Sequence, residues 1–313
     1  MERNDLQMRA LTGRDELDLF RRLSSVLDDE LEDDLAAGRR RPEWMWVALQ
    51  GDRLLARAAW WGRVEDAEPL VLDVFDLADD DPGRVDVGVR LLETAVAAVV
   101  PPGARPPVYS RFVPPNWRDD DRERRIVEDR VAALERVGAR VLVERLRLEW
   151  RAGTPTPDIS GRLTFREVTD RAELVELMTG VLDGTLDAHS REALDRVPAR
   201  QAAAEQYDGE LMGYSSPRDW WRVATLPGGE PVGFVIPARN DYNPIIAYIG
   251  VLPRYRGRGY VDDLLAEGTR ILAANDAPRI RASTDVANVP MADAFRRAGY
   301  VVYQHQIDMT WAR

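Results

Sequence analysis

The densest chemistry lies in Val251-Leu252-Pro253-Arg254-Tyr255-Arg256-Gly257-Arg258-Gly259-Tyr260. An apolar run, Ile245 to Val251, leads in, and an amphipathic run, Val261 to Leu272, leads out. The order predicts strand, glycine turn, helix. Two glycines let a ligand approach the backbone with no Cβ in the way. The helix start presents unpaired N–H groups and the positive end of its dipole, and successive turn amides add an anion nest. With Arg254, Arg256 and Arg258 around it, the turn is expected to hold a pyrophosphate. A Walker A loop needs Lys-Ser/Thr after its last glycine, where Tyr260-Val261 stands, and a dinucleotide fingerprint needs a third glycine, where Asp262 stands. An ordinary strand–helix connection is the bland alternative, and it does not explain three arginines around two glycines.

The rest of the reactive inventory is sparse. There is no Cys, which excludes disulfides, thiolate metal sites and a cysteine acyl-enzyme, and suits a reducing cytoplasm. The two histidines, His189 and His305, give no basis for a multi-histidine metal site, and no metal is expected.

The motif R-x-x-G-x-G preceded by V-x-P resembles the acyl-CoA loop of the GNAT superfamily of N-acetyltransferases. Downstream, Ala282-Ser283-Thr284-Asp285-x-x-Asn288-x-x-Met291, then Phe295-x-x-x-Gly299-Tyr300, resembles that superfamily's next block. The resemblance implies direct transfer, in which an amine attacks a thioester, a tetrahedral intermediate forms and a thiolate leaves. It implies acetyl-CoA as donor, the Val251 N–H as oxyanion donor, and the edge from Ile249 to Val251 and Leu252 as the place for the pantetheine arm. The amides from Arg256 to Tyr260, with Arg254 and Arg258 near, would hold the pyrophosphate. Asn288 would touch the arm or cap the next helix. Many superfamily members carry a general-acid Tyr where Phe295 stands, so Tyr248 is the substitute acid, with a packed core aromatic as its other reading. Asp285 is the first choice of base, followed by Asp187 and His189, both in the segment expected over the acceptor.

The 313 residues suffice for two domains of about 150 each. Two series of similar elements are predicted, before and after a proline-rich linker. The division is a degenerate GNAT-like domain at 1–151, a linker at 152–160 and an acyl-CoA-binding domain at 161–313. The fold class is α/β with a mixed, mostly antiparallel sheet flanked by helices, a tandem architecture resembling mycothiol synthase. In the first series the counterpart of the glycine turn is Asp79 to Arg84, whose carboxylates would repel a pyrophosphate.

Within the first series, Thr12 to Leu27 reads as a helix that Leu31 and Leu35 extend, and Asp28 to Asp34 as a solvated face. Arg39-Arg40-Arg41 reads as a loop. In the second series Ser190 to Gln206 reads as one helix. A net charge of −11 disfavours nucleic acid and anionic membranes and suits a cationic partner. The start, Met1 to Asp5, has no leader pattern, and no apolar run suits a membrane span. All basic residues are Arg, which fits a GC-rich bacterium. The expectation is a cytoplasmic acyl-CoA-dependent N-acyltransferase acting on a small-molecule amine, as monomer or homodimer. The alternative is a non-catalytic acyl-CoA-binding or scaffold protein.

Overall fold

The computed structural model describes residues 6–156 and 158–311. The polar stretch 1–5, read above for a leader, and Pro157 of the linker lie outside the described residues. Two compact units divide the chain: Met1–Glu144 with Gln306–Arg313, and Arg145–His305. The sequence division at 151 and 161 differs because the long strand that closes the first series belongs to both units, a feature no local pattern reveals.

The first unit runs β1 (Leu6–Ala10), α1 (Leu17–Phe20), α2 (Leu31–Ala37), β2 (Met45–Gln50), β3 (Arg53–Trp61), β4 (Val71–Leu77), α3 (Arg84–Val99), β5 (Val108–Val113), α4 (Asp121–Arg136) and the start of β6 (Ala139–Arg151). Strands β1 to β4 pair antiparallel in order, and β4 pairs parallel with β5. The end of β12 (Val301–Trp311) lies beside β5. Apolar side chains of β2, β3 and β4 point both ways, into a core under α3 and a second under α1 and α2.

The second unit runs β7 (Thr164–Glu167), α5 (Arg171–Leu182), α6 (Ala188–Leu194), α7 (Ala199–Gly209), β8 (Arg222–Thr225), β9 (Pro231–Arg239), β10 (Pro244–Val251), α8 (Tyr260–Ala274), β11 (Arg279–Asp285), α9 (Val289–Arg297) and the start of β12. Strands β7 to β10 pair antiparallel, β10 pairs parallel with β11, and β11 pairs antiparallel with Arg145–Arg151 of β6. One core lies under α8 and α9, the other under α5 and α7. Each unit is thus a mixed, mostly antiparallel sheet flanked by helices.

Three local expectations change. The first helix stops at Phe20 because the fully buried Arg57 donates to the Phe20 carbonyl and pairs with Asp28 at 2.9 Å, while Ser25 and Asp28 form their own turn. Asp34 is not on a solvated face. It is buried, and it pairs with Arg39 at 2.8 Å and Arg40 at 3.1 Å; Arg40 also grips Asp73. The helix from Ser190 breaks into α6 and α7, because Pro198 lacks the N–H a continuous helix requires and instead stands at the start of α7.

The first unit holds a buried ion network. Asp76 accepts from Arg57 at 3.0 Å and from Arg111 at 3.1 Å. Burial pushes the Asp76 carboxyl up, but Arg111, Arg57 and Arg130 outweigh it and hold the carboxyl below its usual range. A depressed folded value means this stabilisation is present above the unfolded carboxyl range and fades as pH falls through the folded value. Asp76→Asn is expected to cost about 3–5 kcal/mol at neutral pH by stranding buried guanidinium charge. Urea unfolding at pH 7 checks it. A loss under 1 kcal/mol would show that the network relaxes to solvent.

Candidate active site

The predicted strand, turn and helix are β10, a 3-10 turn at Pro253–Tyr255 with the glycines after it, and α8. Gly257 and Gly259 have φ of 72° and 73°, the left-handed region that side chains disfavour. Gly259 stands at the N-cap of α8, so the first helical N–H groups face out of the turn unpaired within the helix. The loop is braced from behind. Arg162 donates to the carbonyls of Arg258 at 3.0 Å and Gly259 at 3.3 Å, and to Asp263 at 2.8 Å.

That brace also settles an electrostatic conflict. Asp262 and Asp263, both in the first turn of α8, would repel an anion. Arg162 neutralises Asp263, and Arg297 neutralises Asp262 at 2.7 Å. Arg162→Ala is expected to weaken the binding of a phosphate-bearing ligand at this turn about tenfold, from the loss of roughly 1–2 kcal/mol of helix-terminus electrostatics. Calorimetric titration at two salt concentrations checks it. Equal affinity to the parent chain would mean the brace is mechanical only.

The three loop arginines divide. Arg254 pairs with Glu230 at 3.0 Å and lies over the Tyr255 ring, and Arg258 approaches the same ring at 5.8 Å. Neither side chain lines the cavity described below. Arg256 does, and its donors hold four carbonyls: Val251 at 3.0 Å, Val181 at 2.7 Å, Asp183 at 2.6 Å and Gly184 at 3.2 Å. It ties the end of α5 and the segment after it to the end of β10. The sequence marks Arg256 as one positive charge among three and gives no sign of this tie.

A cavity of about 930 Å³ runs from this loop along β10. At the loop end it is lined by Ile249, Val251, Gly257, Gly259 and Tyr260, and deeper in by Asn288 and Phe295. Leu252 is absent from the wall; its N–H donates to Val232 of β9 at 2.9 Å. Successive strand N–H groups point to opposite edges, so the Val251 N–H points away from β9. There β10 has little company: its register with β11 is the single pair Ile245↔Arg281, upstream of a bulge at Ala247. The two parallel strands part, leaving the edge from Tyr248 to Val251 open to the cavity. Asn288 both lines that cavity and caps α9, accepting from the Met291 N–H at 3.4 Å. Phe295 packs edge-on against Tyr300, whose hydroxyl meets Thr269 at 2.8 Å, outside the cavity wall.

Beyond the open edge the wall turns polar, with Tyr248, Asp187, His189, Glu210 and Arg145. Asp187 is the N-cap of α6 and accepts from the Ser190 N–H at 2.7 Å. Burial pushes its carboxyl up, but Arg145, the Ser190 N–H and His189 together hold it below the usual range. Tyr248 packs edge-on against Phe234. Burial, then the charges of Asp187 and Glu210, raise its phenol above the ordinary value, so it keeps its proton. Asp285 is only 2 % exposed and does not line the cavity. Its carboxylate accepts from the Ala188 N–H at 2.7 Å and pairs with Arg145 at 3.3 Å. Burial and the neighbouring Asp187 raise its pKa, against the opposing pull of the Ala188 N–H, Arg145 and His189.

The corresponding place in the first unit is filled from within. Strands β4 and β5 also part, after the pairs Val71↔Val108 and Leu72↔Tyr109. There Arg130 of α4 donates to the Leu77 carbonyl at 2.9 Å, and Arg111 to the Phe75 carbonyl at 3.2 Å. In the following turn, the Asp81 carboxylate accepts from the Gly83 N–H at 2.7 Å, where a ligand's anion would otherwise sit.

In the second unit, an open strand edge leads into a braced glycine turn at a helix start, where unpaired N–H groups and the helix dipole suit an anion. Residues 186–300 match the model of the Acetyltransferase (GNAT) family, and the second unit carries a GNAT acetyltransferase domain. Among solved structures, the chain is similar to a GCN5-related N-acetyltransferase from Sphaerobacter thermophilus, at 16% identity and TM-score 0.61, over 98% of this chain and 95% of that one. It is similar to a tandem GNAT protein from the clavulanic acid biosynthesis pathway, at 15% identity and TM-score 0.53, over 97% and 98%. A glucosamine N-acetyltransferase region of a fungal multi-domain β-N-acetylglucosaminidase matches at 14% identity and TM-score 0.58, over 97% of this chain and 38% of that one. At these identities the likeness is one of fold. No curated protein matches. Among the described residues no group of His, Cys, Asp and Glu could hold a metal ion, and no helix is long and apolar enough to cross a membrane.

Proposed function

We propose that the second unit transfers an acetyl group from acetyl-CoA directly to the amine of a small molecule. The observation that carries this reading is the continuity of the cavity. A nest for a pyrophosphate and a polar end with Asp187 and Tyr248 share one space, joined by an open strand edge. The first unit is the degenerate partner, with one cofactor site per chain, because Arg130, Arg111 and Asp81 occupy the groups a cofactor would use.

Acetyl-CoA supplies an activated thioester carbonyl. The amides at the start of α8 hold its phosphates, and the edge of β10 aligns its arm. The Val251 N–H donates to the oxygen on which charge develops. Asp187, ionised and in the wall, takes the proton of the incoming ammonium. Tyr248, which keeps its proton, serves as donor to the leaving sulfur in place of the aromatic acid that Phe295 lacks. Asp285 acts from behind the wall. The acceptor's positive charge fits the carboxylates Asp187 and Glu210 beside Tyr248.

Titration of acetyl-CoA into the purified chain, followed by thiol detection across an amine panel, tests the reading. One site per chain with amine-dependent thiol release supports it. Binding without release from any amine would leave an acyl-CoA-binding protein, and two sites per chain would overturn the degenerate reading of the first unit.

A further inference from the structure

We propose that Arg145 is the positioning residue of the acceptor site: clamped from behind by Asp285, it fixes the Asp187 carboxylate in the cavity wall. This rests on the reading of Asp187 as the base. Arg145 lies on β6, outside the segment that matches the family, and stands directly opposite Asp285 in the antiparallel register of β6 and β11. Its Nε is 3.3 Å from Asp285 Oδ1 and its Nη2 3.5 Å from Asp187 Oδ2, so one guanidinium spans a hidden carboxylate and an accessible one. Its side chain is 19% exposed, in the cavity wall.

Asp285 does two jobs from its buried position. Its Oδ2 receives the Ala188 N–H and so fixes the start of α6, where Asp187 is the cap. Its Oδ1 faces Arg145. The Ser190 N–H then holds Asp187 Oδ1, leaving Oδ2 to Arg145 and the cavity. Without Arg145 the carboxylates would stand close in a poorly solvated place with His189 as the nearby group that offsets them, and one would take up a proton. Around them stand Tyr248 of β10 and Glu210 after α7, whose negative charge adds to the same demand for a cation. Arg145 therefore keeps Asp187 available as a base over the working pH range.

The test uses the full chain with Arg145→Gln and Arg145→Lys, read by the pH profile of kcat/KM, by acetyl-CoA calorimetry, and by carbon NMR titration of Asp carboxyls with Asp187→Asn assigning the signal. Arg145→Gln is expected to raise the acid limb and the Asp187 titration by about one pH unit or more, the effect of removing an opposite charge at this range. Acetyl-CoA affinity should stay within about twofold, since the loop lies elsewhere. Arg145→Lys should restore much of the profile. If the Gln change alone unfolds the unit, Asp285→Asn with and without Arg145→Gln gives the same comparison with no buried carboxylate stranded. An Asp187 titration unmoved by loss of Arg145 in either background overturns the proposal. Should no amine yield thiol, the proposed function falls, while the NMR titration still decides the role of Arg145.

Discussion

Gly257→Glu abolishes acetyl-CoA binding while leaving both units folded: that is the expected result with the clearest physical cause. A Cβ built at Gly257 meets nothing within 4 Å, so space does not require glycine there. The φ of 72° does, and Gly257→Ala isolates that cost at about 1–2 kcal/mol, a weakening near tenfold. The glutamate adds a carboxylate where, on the proposed reading, amides and helix dipole meet the phosphates, and the loss should exceed about a hundredfold. Gly259→Asp should do the same from the N-cap itself. The control is Gly83→Glu in the first unit, beside a turn whose amide already serves Asp81. Calorimetry reads all four. Retained affinity in Gly257→Glu would show that the phosphates lie elsewhere, and lost affinity in Gly83→Glu would mean the first unit takes part in binding.

The glycine loop was legible because its chemistry is local. Turn residues, helix start and arginines fall within ten consecutive positions, and the apolar runs on either side carry the periods of strand and helix. What lay beyond reach depends on residues distant in sequence. Arg162 braces the loop from far upstream, and Arg145 reaches Asp285 only through a strand register. Asp285 reads in the sequence as a strand-end carboxylate near the Asn288 block, yet strand direction puts it behind the cavity wall rather than in it. Asp34 likewise looks like one member of an acidic run, until Arg39 and Arg40 fold back on it. An ion pair between distant residues leaves no periodicity to find. Where a local competitor was visible, such as Pro198, the helix boundary could have been placed; where it was a buried arginine, such as Arg57 at Phe20, it could not.

Asp187→Asn should lower kcat/KM for the amine by about 10²–10⁴, the usual worth of a positioned base, with acetyl-CoA affinity unchanged. The substitution is well suited to the question because Asn is as good an N-cap as Asp. Its Oδ1 can still accept the Ser190 N–H, so α6 should keep its start and the wall its shape. What disappears is the charge. For the parent chain, a carboxyl held below its usual range stays ionised through neutral pH, so activity should persist through mildly acidic pH and fall only where acid reaches the Asp187 carboxylate itself. In the Asn variant the rate should rise with pH up to the amine's own pKa, since only amine already deprotonated in water can react. That profile separates a missing base from a damaged site, which would lower the rate equally at every pH. If instead the variant kept the parent rate, His189, which stands in the same wall, would have to be the proton acceptor, and His189→Gln would then show the loss.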